Sequence, residues 1–232
     1  MRILSSLRAF KPWRKKDNSI KTATGFTLIE IALVMVILSF LLGGLLLPMT
    51  AQIEMHHMRE IQKDLNEIKN TLIGYALSHA ATDGKPYLPC PDTDGDGSEN
   101  RSGTICVSQE GDLPWSTLGV ANQDSWNRVY RYRVAAAFSN ANNGFVLTTN
   151  GDMVIRQAVA GAILANNIPV VIYSLGKGGA GAGNDEVENS DGDTEFVSHG
   201  NTVTVGNEFD DMLTWIPAGV LVHDMVAAGR LP

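Results

Sequence analysis

The sequence predicts an α+β fold, with a long N-terminal helix packed on an antiparallel β-sheet domain. Three observations point there: an apolar run over residues 26–49 that passes into amphipathic helix, the stop signal Asp83-Gly84-Lys85-Pro86, and short alternating segments at hairpin spacing beyond it. The chain accordingly divides into a basic leader at 1–25, a membrane-spanning helix at 26–49, an amphipathic helix at 50–82 and an α+β domain at 83–232.

Charge separates the first of these segments from the rest. The 232 residues carry 18 basic and 25 acidic side chains, net −7. Arg2, Arg8, Lys11, Arg14, Lys15, Lys16 and Lys21 against Asp17 give residues 1–25 a charge of +6, leaving −13 for the remainder. Lys and Arg on one flank of an apolar span keep that flank in the cytoplasm. The predicted topology is therefore single-pass in the inner membrane, N-terminus cytoplasmic and C-terminal domain outside. A secretory signal peptide is cut after a shorter apolar region. Here the Gly25-Phe26 junction precedes the apolar run, which stays in the product.

Residues 26–49 would extend about 36 Å as a helix, against a hydrocarbon core of roughly 30 Å. Glu30 is the discordant residue. An acid at that depth costs roughly 2.5–3.5 kcal/mol and needs a compensating partner. An uncut signal anchor supplies no reason for it.

The basic leader, Gly25, the run Phe26-Thr27-Leu28-Ile29-Glu30 and the long apolar helix together resemble the processing signal of type IV pilins and type II secretion pseudopilins. That resemblance implies cleavage between Gly25 and Phe26 by a prepilin peptidase and N-methylation of Phe26. It also implies assembly, through an inner-membrane platform, with other pilin or pseudopilin subunits into an extracytoplasmic filament. Within such a filament the Phe26 amine of one subunit would pair with Glu30 of a neighbour, and a desolvated charge is tolerable only when paired. The 207 residues after Gly25, with their long loops, suggest a minor subunit. Two other classes stay open: a minor pilin acting as adhesin or DNA-binding module, and a membrane-anchored periplasmic enzyme that never polymerises.

Past the apolar run, Met58, Ile61, Leu65, Ile68, Leu72, Tyr75 and His79 recur at alternating spacings of 3 and 4. This is one helical stripe, predicted to pack against the chain's own domain. Gly43-Gly44 and Pro48 predict a kink or local break. In the outer domain Val129–Val134 alternates as a half-buried strand. Phe145–Thr149, Pro169–Ser174, Thr202–Val205 and Met212–Ile216 are further predicted strands. Gln157–Asn166 is predicted helical, and Val220–Ala228 a closing helix before Gly229.

Cys90 and Cys106 are the only cysteines. Outside the inner membrane, in an oxidising compartment, they are predicted to form a disulfide. Between them lies Asp92-Thr93-Asp94-Gly95-Asp96-Gly97. This is the first half of a calcium loop, in which alternate carboxylates converge around glycine turns. Gly103 stands where the closing glutamate of a full EF-hand belongs, so Asp92, Asp94 and Asp96 are candidates for a simpler calcium site, completed by Glu99, Asn100 or distant groups. A second acidic region runs from Asn184 to Glu195. No Lys or Arg occurs between Lys177 and Arg230, while ten carboxylates do. Ser174-Leu175-Gly176 and the glycines up to Asn184-Asp185 resemble the calcium loop of major type II secretion pseudopilins, which makes Asn184, Asp185 and Asp193 further calcium candidates.

Gly176-Lys177-Gly178-Gly179 lacks the spacing and the hydroxyl residue of a phosphate loop. No nucleophile elbow or catalytic constellation is visible, and neither an enzyme activity nor an organic cofactor is expected. Trp115 and Trp126 read as packing anchors. Arg128, Arg131 and Arg133 form a basic cluster, but the negative charge of the domain argues against a general nucleic-acid surface.

Overall fold

The computed structural model describes residues 25–181 and 183–232, without the side chains of residues 44–50. The basic leader before Gly25 lies outside the described residues. The chain falls into two units, 1–49 and 50–232.

In the first unit, Thr27 opens helix α1 (Leu28–Ser78). Its Oγ1 and its carbonyl both accept the Glu30 N–H, at 3.3 and 3.1 Å, satisfying a backbone donor that the first helical turn leaves without a partner. Helical backbone continues through Gly43, Gly44 and Pro48. One missing proline N–H removes a single rung of the ladder without ending it.

The fold expected from sequence needs correcting on two counts. Among the described residues no helix is long and apolar enough to cross a membrane. The apolar part of α1 with described side chains, residues 28–43, covers only about 24 Å, and the remainder of the expected span at 44–49 lies outside the described side chains. Nor is the outer domain one antiparallel sheet. It is mostly short strands in four small sheets, joined by short helices.

The second unit is built around the α1 stripe. Ile61, Leu65, Ile68, Leu72 and Tyr75 are buried, while Met58 is half-buried and His79 exposed. After the helix come β1 (Arg101–Ser102) and β2 (Ile105–Cys106), a minimal hairpin, then β3 (Glu110–Asp112), the single turn α2 (Trp115–Leu118) and β4 (Arg131–Val134). β4 alternates as its sequence predicts, Tyr132 and Val134 inward, Arg131 and Arg133 half-exposed.

Next are β5 (Met153–Arg156), β6 (Ile163–Ile168), β7 (Val170–Ser174), the short helix α3 (Asn184–Glu188) and β8 (Glu195–Val197). The hairpin β9 (Thr202–Thr204) and β10 (Asn207–Phe209) leads to β11 (Met212–Ile216) and the closing helix α4 (Ala218–Ala227). The largest sheet has the order β11-β7-β4-β3, antiparallel throughout, with every residue of β7 buried. A second sheet, β6-β5-β8, is mixed: β5 pairs antiparallel with β6 and parallel with β8.

Two predicted elements are replaced. Gln157–Asn166, expected helical, is a turn followed by β6. Ala160 takes a positive φ of 56°, Gln157 N–H donates to the Ala162 carbonyl, and the chain folds back onto β5. Phe145–Thr149 is a turn closed by Thr149 N–H on the Val146 carbonyl, with Phe145 buried 4.9 Å from the Phe138 ring.

Candidate functional site

Glu30 stands in the first turn of α1, where the helix dipole favours a carboxylate by about 0.3–1 kcal/mol. Around it the helix is apolar on every face. Phe26, Leu28, Ile29, Leu33, Met35 and Phe40 are each more than 60 % exposed, and no apolar residue of 28–42 is buried. Leaving an apolar surface of this extent in water is costly. Gly25 and Phe26 precede the helix as exposed, non-helical chain.

Cys90 and Cys106 form a disulfide, Cα–Cα 5.3 Å. The loop it closes holds Asp92, Asp94 and Asp96 with one oxygen of each within 4.8 Å of the others. Asp92 is buried, and its carboxylate accepts the N–H groups of Asp94, Gly95 and Gly97 at 3.1, 2.7 and 2.7 Å. Burial pushes its pKa up, but those backbone donors outweigh burial and hold it below the usual aspartate range. The cluster is thus accounted for by turn formation. Neither expected helper is free: Glu99 accepts from Tyr75 Oη, Cys90 N–H and Arg101 Nε, and Asn100 Oδ1 accepts from Thr93. Trp115 is half-buried over Gly97, and Trp126 packs beside the His57 ring at 5.7 Å.

The second acidic region gathers a different set from the one its spacing suggested. Asn184 is exposed at the start of α3. Asp185 is buried with Oδ1 accepting Val159 N–H and Oδ2 against His199 Nε2, at 2.8 and 3.1 Å. Asp193 accepts Glu195 N–H at 2.6 Å. Neither Asp185 nor Asp193 belongs to a three-member acidic cluster among the described residues.

Glu186, on α3, meets Asp210 and Asp211, in the link between β10 and β11, with one carboxylate oxygen of each within 4.8 Å of the others. Glu186 Oε1 accepts Asp210 N–H at 3.0 Å and Asp210 Oδ2 accepts Gly178 N–H at 2.7 Å. Asp211 Oδ2 accepts from Asn189 Nδ2 at 2.8 Å, and Asn189 is itself fixed by both backbone groups of Val197. Asp210 Oδ1 and Asp211 Oδ1 are buried and have no hydrogen-bond partner among the described residues. Burial first, then the Glu186 and Asp210 charges, push Asp211 up to about 7 against the Asn189 hydrogen bond. Burial likewise raises Glu186, helped by Asp210 and Glu208. Sequence spacing could not reveal Asp210 and Asp211, more than 20 positions from Glu186; the one signal was the absence of Lys and Arg across the segment.

Gly176 and Gly181 make this approach possible. Both have positive φ, 56° and 54°, and a Cβ at either would strike Asp210 or the Glu186 carboxylate respectively. Of the basic cluster, Arg131 and Arg133 stand on β4 and pair with Asp112 and Glu110, while Arg128 donates to the Lys177 carbonyl at 2.8 Å. No protein-family model, curated protein or solved structure matches the chain.

Proposed function

We propose that the chain is a prepilin-like subunit, cut between Gly25 and Phe26 by a prepilin peptidase, methylated at Phe26 and assembled into a type IV pilus or type II secretion pseudopilus, as a minor subunit. Its partners are other pilin or pseudopilin subunits and the inner-membrane assembly platform, and its acidic domain works on the extracytoplasmic side.

One observation carries this reading: a helix apolar all round from Leu28 to Leu42 whose single charge, Glu30, sits one turn from the new terminus that cleavage would create. Apolar burial at roughly 25 cal/mol per Å² rewards bundling of such helices. The Glu30 carboxylate then requires a cation inside the bundle, and the Phe26 amine of an adjacent subunit is one supplied by the same processing event.

Intact-mass measurement on protein purified from cells with and without the peptidase tests it. The reading requires loss of residues 1–25 and gain of one methyl group only when the peptidase is present. A full-length, unmethylated chain in both samples overturns it.

A further inference from the structure

We propose that Asn150 is a site of covalent self-modification: attack by the Gly151 backbone nitrogen expels its side-chain amide, leaving aspartate and isoaspartate at the entry to β5. The inference stands apart from how the chain assembles.

Glycine after asparagine opens this chemistry because no Cβ obstructs the approach of its nitrogen to the preceding side chain. A nucleophile in the same chain and within reach also reacts far faster than a separate one. The Gly151 nitrogen gives up its proton to water and bonds to Asn150 Cγ; the Cγ–Nδ2 bond breaks and Nδ2 leaves as ammonia. Water then opens the cyclic imide. Breaking the new N–Cγ bond gives aspartate, and breaking the original peptide N–C bond gives isoaspartate, in which the main chain runs through the side-chain carbon. The balance is one water consumed and one ammonia released, with no oxidant or reductant.

The fold singles out one step among six. Asp-Gly or Asn-Gly begins at Asp83, Asp94, Asp96, Asn143, Asn150 and Asp191. In four of these the glycine N–H is already donated: Gly84 to the Ala81 carbonyl at 2.8 Å, Gly95 and Gly97 to the Asp92 carboxylate at 2.7 Å each, and Gly144 to Asp83 Oδ1 at 3.1 Å. A nitrogen held in this way cannot turn toward the preceding side chain until that bond opens. Gly151 and Gly192 donate to no acceptor among the described residues. Asp191 has no amide to expel, and its Oδ1 accepts Asp193 N–H at 3.0 Å. Asn150 is exposed and lies outside any helix or strand. Gly151 packs so closely on the Ile168–Pro169 peptide that a Cβ there would strike the Ile168 carbonyl. Just beyond it, fully buried Met153 pairs with Ile168. The extra main-chain carbon of isoaspartate falls beside this contact and pushes the start of β5 away from β6.

The test is peptide mapping by mass spectrometry of full-length protein incubated at mildly alkaline pH, folded and, in parallel, unfolded in guanidinium chloride. One tryptic peptide, residues 134–156, carries both Asn143 and Asn150. Its fragmentation assigns the exchange of NH2 for OH to one or the other and separates aspartate from isoaspartate. In the folded protein Asn150 is expected to convert at least about tenfold faster than Asn143, whose Gly144 N–H must first leave Asp83. In the unfolded chain the two rates should come together. Asp83→Ala, at an exposed position, should speed Asn143 at least about fivefold and leave Asn150 unchanged. Asn150→Gln should keep its melting temperature through the incubation, while that of the parent falls as isoaspartate accumulates. No conversion of Asn150 in the folded protein, an Asn143 that keeps pace with it there, or an Asp83→Ala protein with Asn143 no faster overturns the assignment; an isoaspartate form that melts like the parent overturns the displacement of β5.

Discussion

The phenol of Tyr75 donates to the Glu99 carboxylate at 3.1 Å, joining α1 to the disulfide-closed loop. The same carboxylate accepts Cys90 N–H and Arg101 Nε, both at 2.9 Å, and Arg101 goes on to donate to the Leu88 and Ser139 carbonyls. Glu99→Ala therefore strands a buried N–H and a guanidinium together. We expect a loss of about 2–3 kcal/mol in urea unfolding, against about 1 kcal/mol for Tyr75→Phe, which removes only the hydroxyl.

The Cys90–Cys106 bridge closes a loop with a sequence separation of 16. In the chain-entropy model a loop of this length is worth about 3 kcal/mol. Reduction, or the double change Cys90→Ser with Cys106→Ser, should lower the urea midpoint by the corresponding amount, while far-ultraviolet circular dichroism of the folded protein stays unchanged.

Asp92 links stability to acid. Its folded pKa lies below the ordinary value, so its contribution is fully present above the unfolded aspartate pKa and is lost as pH falls through the folded one. Stability should decline below about pH 4, and Asp92→Asn should flatten that decline while lowering stability at pH 7, since an amide nitrogen cannot accept a glycine N–H. Unfolding curves from pH 2 to 7 for both proteins decide it.

Leu65 and Leu72 are fully buried on the α1 stripe. Either change to Ala should cost about 2–5 kcal/mol. Thermal and urea unfolding of Leu65→Ala and Leu72→Ala check it.

Glu30 is exposed and belongs to the first unit, residues 1–49. Glu30→Leu should leave the unfolding free energy of the domain within about 0.5 kcal/mol of the parent yet abolish filament incorporation, read by shearing cells and blotting the released fraction. Incorporation at parental level sinks the pairing with the Phe26 amine.

Local signals were legible wherever one neighbouring surface decided the outcome. The α1 stripe, the alternation of β4 and the cysteine pair each followed from short-range pattern. Over Gln157–Asn166 the reversal at Ala160 and Gly161 and pairing with β5 override the helix that the sequence predicts. The Glu186–Asp210–Asp211 cluster was hidden for a different reason. Its members meet only after α3 and the β9–β10 hairpin have folded together, so no spacing rule could name them, and the nearer acids Asp185 and Asp193 drew attention while serving backbone donors instead.

The inward row from Ile61 to Tyr75 is a wall of the domain's interior rather than a tether attached to it. Pulling that segment away from the domain means separating buried apolar side chains from their neighbours. On the filament reading proposed above, a pull on the helix would load that packing directly.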